Sequence, residues 1–85
     1  MTDVGDLVHV LRNTSVAEII RALERDGFSL KRETSTGGRI YAHPDGRITV
    51  IHFHRRSDTL TRKTLRSVLL ALKWTEADLK RLGLF

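Results

Sequence analysis

The segment 39-RIYAHPDGRITVIHFH-54 predicts a β-hairpin. Its centre, residues 43–46 (HPDG), is typical of a tight turn, because proline presets one backbone angle and glycine accepts a positive φ. Residues on both sides alternate in the manner of strands, which predicts strands over residues 39–43 and 47–54. Successive side chains of a strand point to opposite faces. In the second strand one face therefore carries Ile48, Val50, His52 and His54, and the other carries Arg47, Thr49, Ile51 and Phe53.

A helix and a further strand are predicted before the hairpin. Ser15 and Glu18 have the spacing of a capping box, and the apolar repeat that follows predicts a helix over residues 16–25. Phe28 and Leu30 then alternate with polar neighbours. This alternation predicts a strand with one buried face.

Two helices are predicted after the hairpin. The first begins near Thr61, and Thr75 caps a shorter one. Residues 1–14 form either a short helix or a loose arm, and residues 15–85 form a single domain. The order of elements predicts an α+β fold in which helices cover one face of a small antiparallel sheet. The other face, which we expect to be basic, is free for a ligand.

Length and composition exclude several classes of protein. A chain of 85 residues forms one domain and has no room for a second core. It has no cysteine, which excludes disulfides and thiolate metal sites and suits a reducing compartment. Its apolar runs are far shorter than the roughly 20 residues that span a bilayer, and no secretory pattern begins the chain. We expect a cytoplasmic protein with no membrane partner.

Positive charge is concentrated between residues 27 and 66. This stretch has nine Lys and Arg against three Asp and Glu, a net charge of +6, whereas the whole chain carries +5. A one-sided distribution is expected of a surface that binds phosphates, although scattered charges also form ordinary solvated faces. The predicted RNA-binding residues are Lys31, Arg32, Arg39, Arg47, Arg55, Arg56, Arg62 and Lys63, and Arg66 lies beyond them.

Several segments occur in a specific order: an apolar helix ending at Gly27-Phe28, a glycine-bearing turn, the hairpin 40–47, and the segment 60–67 (LTRKTLRS). This order resembles the HicA toxins of bacterial toxin-antitoxin systems over about residues 16–84. The resemblance implies a fold similar to a double-stranded RNA-binding domain. It also implies cleavage of messenger RNA (mRNA) without a cofactor, and neutralisation by a HicB-like antitoxin.

The resemblance also implies a catalytic histidine at a position where this chain has Gly38. Family members usually carry Gly-Ser-His at the start of the second strand, and alignment on residues 43–46 places that triplet on residues 36–38 (TGG). Glycine cannot exchange a proton, so the general base would be missing. Either the chain is catalytically impaired and serves as an RNA-binding or antitoxin-binding module, or another residue has replaced the histidine.

His52 and His54 are candidate substitutes. Histidine titrates near neutral pH, and RNA cleavage requires a proton to leave the 2′-hydroxyl and another to reach the leaving oxygen. The alternative is a structural role, because both share a face with Ile48 and Val50, which we expect to be the core face. His43 is expected to be a turn residue.

No metal site is expected. Two histidines at alternate positions of a strand can contribute two ligands, but Asp58 is the one carboxylate close to them in sequence. No further ligand is evident to complete a coordination sphere.

Overall fold

A computed structural model describes residues 3–85. Within them the three strands form an antiparallel sheet of order β1-β2-β3. This architecture confirms the predicted α+β fold and its dsRBD-like αβββα order. The elements are α1 (Val4–Leu11), α2 (Val16–Asp26), β1 (Ser29–Glu33), β2 (Gly38–Ala42), β3 (Ile48–His52), α3 (Arg62–Leu72) and α4 (Glu76–Arg81).

The helices begin at side-chain caps. Ser15 and Glu18 form the capping box of α2, Thr61 caps α3, and Thr75 caps α4 with a second capping box. Each cap satisfies amide groups that lack a partner within the helix, which fixes where the helix begins. The residues buried in α2 and α3 are Val16, Ile19, Ile20, Ala22, Leu23, Leu65, Val68, Leu69 and Leu72.

α1 occupies the segment for which the sequence allowed either an arm or a helix. Its apolar residues Leu7, Val8 and Leu11 are buried, and the helix packs on α3. α1 therefore adds its side chains to the same hydrophobic core as the rest of the chain.

The helix-packed face of the sheet carries Tyr41, Thr49 and Ile51, all almost completely buried. The β2–β3 register places Tyr41 opposite Thr49 and Arg39 opposite Ile51. The Arg39 guanidinium lies over the ring of Phe53, 4.8 Å from its centroid. Tyr41 and Ile51 are thus the apolar side chains that the sheet adds to the core.

The open face carries Ile48, Val50 and His52, so the expectation that they face the core is wrong. Ile48 is 58% exposed and Val50 is 42% exposed, and His52 and His54, which were expected on the same face, are also exposed. The alternation along β3 was predicted correctly, but the choice of the buried face was wrong. The alternate residues Thr49 and Ile51 lie on the same side of the sheet as Tyr41, and the helices cover that side. The centre of the open face is apolar, and the expectation of a basic face is wrong there.

β1 is exposed along its whole length, so the expectation of one buried face is wrong for this strand. Leu30 is 44% exposed, and Phe28, which is buried, precedes the strand. The reason is topological, because β1 lies at the edge of the sheet while α3 packs on β3 at the opposite side.

The carboxylate of Asp26 connects four parts of the fold. Trp74 Nε1 donates a hydrogen bond of 2.9 Å to Oδ2, Arg47 Nη1 lies 3.1 Å from the same oxygen, and Arg81 Nη2 lies 2.9 Å from Oδ1. The side chain is only 7% exposed. Burial opposes its ionisation, but the hydrogen bonds from Trp74 and Arg81 and the charge of Arg47 outweigh burial and lower the pKa of Asp26.

We expect Asp26→Asn to lower the free energy of unfolding by about 2 kcal/mol at pH 7, because two arginines lose a buried charged partner. A carboxyl with a lowered pKa stabilises the fold above the ordinary aspartate pKa, and this contribution disappears as the pH falls through the folded-state value. The difference between variant and unaltered protein should therefore shrink at pH 3. Urea unfolding at both pH values measures it.

Asp45→Asn provides the matched control, because Asp45 pairs with the same Arg47 but is half exposed. The loss of stability for Asp45→Asn should be much smaller than for Asp26→Asn, because an exposed ion pair is screened by solvent. Equal losses for the two variants would contradict the central role of Asp26.

Candidate functional site

The imidazole of His52 covers Gly38. The two residues face each other across β3 and β2. A Cβ atom added to Gly38 would lie 2.7 Å from His52 Nε2 and 2.9 Å from Thr34 Oγ1. Real Cβ atoms do not approach other atoms so closely, so the space that a side chain at position 38 would need is already occupied by His52.

A hollow of about 410 Å³ extends from His52 to the beginning of α3. His52 and His54, the two predicted substitutes, both lie in its wall. Asp58 lies there too, and its Oδ2 accepts a hydrogen bond of 3.0 Å from the Arg55 amide. The lining residues are His52, Phe53, His54, Asp58, Thr59, Leu60, Thr61 and Thr64.

The N-terminus of α3 contributes Thr61 and Thr64 to this hollow. The Thr61 hydroxyl accepts a hydrogen bond of 3.3 Å from the Thr64 amide and donates one of 3.0 Å to the Thr64 hydroxyl. The first turn contains no acidic residue and carries Arg62 and Lys63. Helix N-termini carry partial positive charge, so this end of the hollow favours an anion. The Thr61 cap is predictable from the sequence, whereas its place in one hollow with the histidines is not.

Six of the eight predicted RNA-binding residues are exposed, and they make no ion pair within residues 3–85. They fall in three places: two on β1, two in the loop after β3, and two in the first turn of α3. In that order they are Lys31, Arg32, Arg55, Arg56, Arg62 and Lys63.

Arg39 and Arg47 have partners inside the protein. Arg47 Nε lies 2.7 Å from Asp45 Oδ2, and its Nη1 donates a hydrogen bond of 2.7 Å to the Leu72 carbonyl besides pairing with Asp26. Arg39 packs over Phe53 as described above. The charge of Arg47 is therefore largely compensated within the fold.

His43 is held in the hairpin turn by both ring nitrogens. Nε2 donates to the Asp26 carbonyl at 2.8 Å, and Nδ1 accepts from the Asp45 amide at 3.0 Å. Its ring also meets Phe28 edge-on, with centroids 5.1 Å apart. These contacts agree with the expected turn role and leave neither nitrogen available for other chemistry.

A second hollow, of about 520 Å³, lies between α1 and α3. This hollow is not predictable from the sequence, because the pattern of residues 1–14 allows either a helix or an arm. Its lining residues are Gly5, Val8, His9, Arg62, Lys63 and Arg66.

Nowhere in residues 3–85 do three histidine or carboxylate side chains converge as they would around a metal ion. No helix there has the length and apolar character needed to cross a bilayer.

Comparison with known proteins identifies the family. The family model for the HicA toxin of bacterial toxin-antitoxin systems matches residues 16–84. The chain belongs to the HicA toxin family. A search of curated proteins finds no match. The HicA match begins at α2 and extends beyond α4, so it contains the sheet and the first hollow, while α1 lies outside it. Membership in the HicA family implies an antitoxin partner.

We expect Gly38→Ala in this HicA toxin to move His52, at a smaller loss of stability than a substitution at a glycine with positive φ. The new Cβ would meet the ring of His52, which is exposed and can rotate away. It would also meet Thr34 Oγ1, which accepts a hydrogen bond of 2.9 Å from the Gly38 amide and must shift slightly. Loss of nuclear Overhauser contacts between the His52 ring and residue 38 would show the movement.

Gly27→Ala is the contrasting variant. Gly27 has φ of +104°, and its added Cβ would lie 2.9 Å from His43 Nε2, which is hydrogen-bonded in the turn. We expect a loss of about 1 to 2 kcal/mol in denaturant unfolding, from backbone strain and the contact with His43. If Gly38→Ala were equally destabilising, His52 would be a rigid part of the fold.

Proposed function

We propose that this HicA toxin is an mRNA endoribonuclease in which His52 performs the proton transfer expected of a histidine at position 38. The observation that supports this role is the placement of the His52 ring in the space above Gly38. An imidazole is thus present at that point of the open face, although it comes from β3 instead of β2.

The proposed reaction is attack of the RNA 2′-oxygen on the adjacent phosphorus. Neutral His52 Nε2 accepts the 2′-hydroxyl proton, the new P–O2′ bond forms, and the P–O5′ bond breaks. His54, in its protonated form, donates a proton to the departing 5′-oxygen. The products are a 2′,3′-cyclic phosphate and a free 5′-hydroxyl. The presence of both histidines in the wall of one hollow supports their action on the same phosphate.

The scissile phosphate in this proposal lies at the N-terminus of α3. Partial positive charge at the helix end stabilises the phosphate and the extra charge that develops during attack. Arg62 and Lys63 in the same turn, and Arg55 and Arg56 in the preceding loop, bind phosphates on either side of it. Lys31 and Arg32 extend this path onto β1, whereas we assign Arg39 and Arg47 to the fold.

The antitoxin partner is proposed to be HicB-like and acidic. The chain carries a net charge of +5, and four of the exposed cations, Arg55, Arg56, Arg62 and Lys63, lie in the loop and first helical turn that follow the histidines in the chain. An acidic surface over this region would compete with RNA phosphates and would gain from complementary charge.

A non-catalytic module that binds RNA or the antitoxin is the second candidate, and Gly38 is the observation that favours it. An aromatic ring placed across from a glycine also shields the backbone and stabilises strand pairing. His52 could serve that structural purpose without taking part in chemistry.

Activity is tested by incubating mRNA with the protein in excess chelator and analysing the products on a gel. We expect the unaltered chain to cleave, and His52→Ala to lower the rate at least about 100-fold because a general base is lost. The double variant Gly38→His with His52→Gly returns an imidazole to the same space from the neighbouring strand, and we expect it to cleave. His9→Ala, in α1 outside the family match, is the histidine control.

Two other results of the cleavage assay would contradict the proposal. Cleavage by the double variant alone would make the natural chain a binding module whose catalyst is missing. If every variant folds and binds RNA but none cleaves, the assignment of position 38 is wrong.

RNA affinity should depend on salt, and the slope should report the basic residues. We expect Arg56→Ala to reduce the slope of log affinity against log salt by about one unit, the loss of one phosphate contact. Arg21→Ala removes an exposed arginine of α2 outside the proposed path and should leave the slope unchanged. Filter binding over a range of salt concentrations measures both slopes.

A further inference from the structure

The two edges of the sheet differ in their protection. β1 carries Lys31, Arg32 and Glu33, and its register shifts between Leu30 and Arg32 in the manner of a bulge. Charges and bulges are the usual means by which a sheet edge avoids pairing with another chain. β3, at the other edge, contains no lysine, arginine or carboxylate and pairs with β2 without a register shift.

The outer edge of β3 presents unpaired backbone groups. The His43 amide donates to the Arg47 carbonyl at 2.9 Å, so this pair closes the hairpin as a hydrogen-bonded pair. Hydrogen-bonded and non-hydrogen-bonded pairs alternate in an antiparallel ladder, so Thr49 and Ile51 bond to β2. The residues whose amides and carbonyls point away from the sheet are Ile48, Val50 and His52. Across residues 3–85, no loop or side chain bonds to those groups.

The same residues provide an apolar surface beside this edge. Ile48 and Val50 are exposed on the open face, next to the half-buried Ile40 of β2. A strand added to β3 would cover their side chains while its backbone bonds to the edge. Strand addition of this kind obtains affinity from the main chain and specificity from alternate side chains.

Charge at the end of β3 selects the occupant. Arg55 and Arg56 follow the strand and have no ion pair within residues 3–85, whereas Arg47, before it, is compensated by Asp26 and Asp45. The C-terminal end of the edge is therefore positive. A second copy of the chain also carries +5 and is repelled, while a segment with acidic ends is attracted.

We infer that the outer edge of β3 receives, as a fourth strand of the sheet, an extended protein segment with apolar alternate residues and an acidic end beside Arg55 and Arg56. His52 is the last residue of β3, so the added strand would cover its backbone and lie beside its ring. Where the proposed function holds, occupancy of this edge would also keep RNA away from His52.

The test is an NMR titration of the full chain with the synthetic peptide Glu-Val-Thr-Val-Thr-Val-Glu. We expect chemical-shift changes and slowed amide exchange at Ile48, Val50 and His52. Val50→Lys should weaken binding at least about tenfold, a difference of roughly 1.4 kcal/mol. Leu30→Lys, an equally exposed position on the opposite edge, should not change it. The same peptide with lysine at both ends should bind more weakly.

Several outcomes would overturn the inference. They are shift changes that map to β1, equal affinity for the acidic and basic peptides, no binding at millimolar peptide, or protection of the same amides by an RNA oligonucleotide and not by the peptide. A dimer in sedimentation with the β3 amides already protected would identify a second copy as the occupant. None of these measurements involves RNA cleavage, so failure here is separate from failure of the proposed function.

Discussion

The buried carboxylate of Asp26 is the interaction on which the arrangement of this small domain depends. It lies at the end of α2 and is bonded to the hairpin through Arg47 and to the C-terminal segment through Trp74 and Arg81. The backbone carbonyl of the same residue accepts a hydrogen bond from His43. A chain of 85 residues has a small hydrophobic core, and apolar contacts are not directional. The hydrogen-bonded groups around Asp26 therefore help to fix how α2, the hairpin and the C-terminal segment are oriented relative to one another.

The fixed hairpin determines the chemistry of the open face. Once His43 and Arg47 close the turn, every later pair along β2 and β3 follows, including the pair of Gly38 with His52. The same register leaves Ile48 and Val50 on the solvent side and the outer backbone groups of β3 unpaired. One turn thus fixes both the position of the imidazole and the character of the sheet edge next to it.

The sequence predicted most elements because their signals are local. The capping residues Ser15, Thr61 and Thr75 mark helix starts within a few residues, and the turn at 43–46 marks the hairpin. The face of β3 could not be predicted in the same way, since alternation defines two sets of residues and says nothing about which set the helices cover. Contacts between distant residues, such as Asp26 with Trp74, leave no periodic signal in the sequence. The approach of His52 to Gly38 is intermediate, because it follows from the hairpin register once the closing pair is known.

The close approach of His52 to Gly38 has a consequence for how such families are compared. Two columns of an alignment, fourteen places apart (positions 38 and 52), meet here at a single location in space. In the function proposed above, the imidazole at this location comes from β3, whereas the family resemblance implies one from β2. Comparisons that score one column alone would count such a chain as having lost its histidine. Comparisons that ask which side chain fills the space above position 38 would find a histidine there.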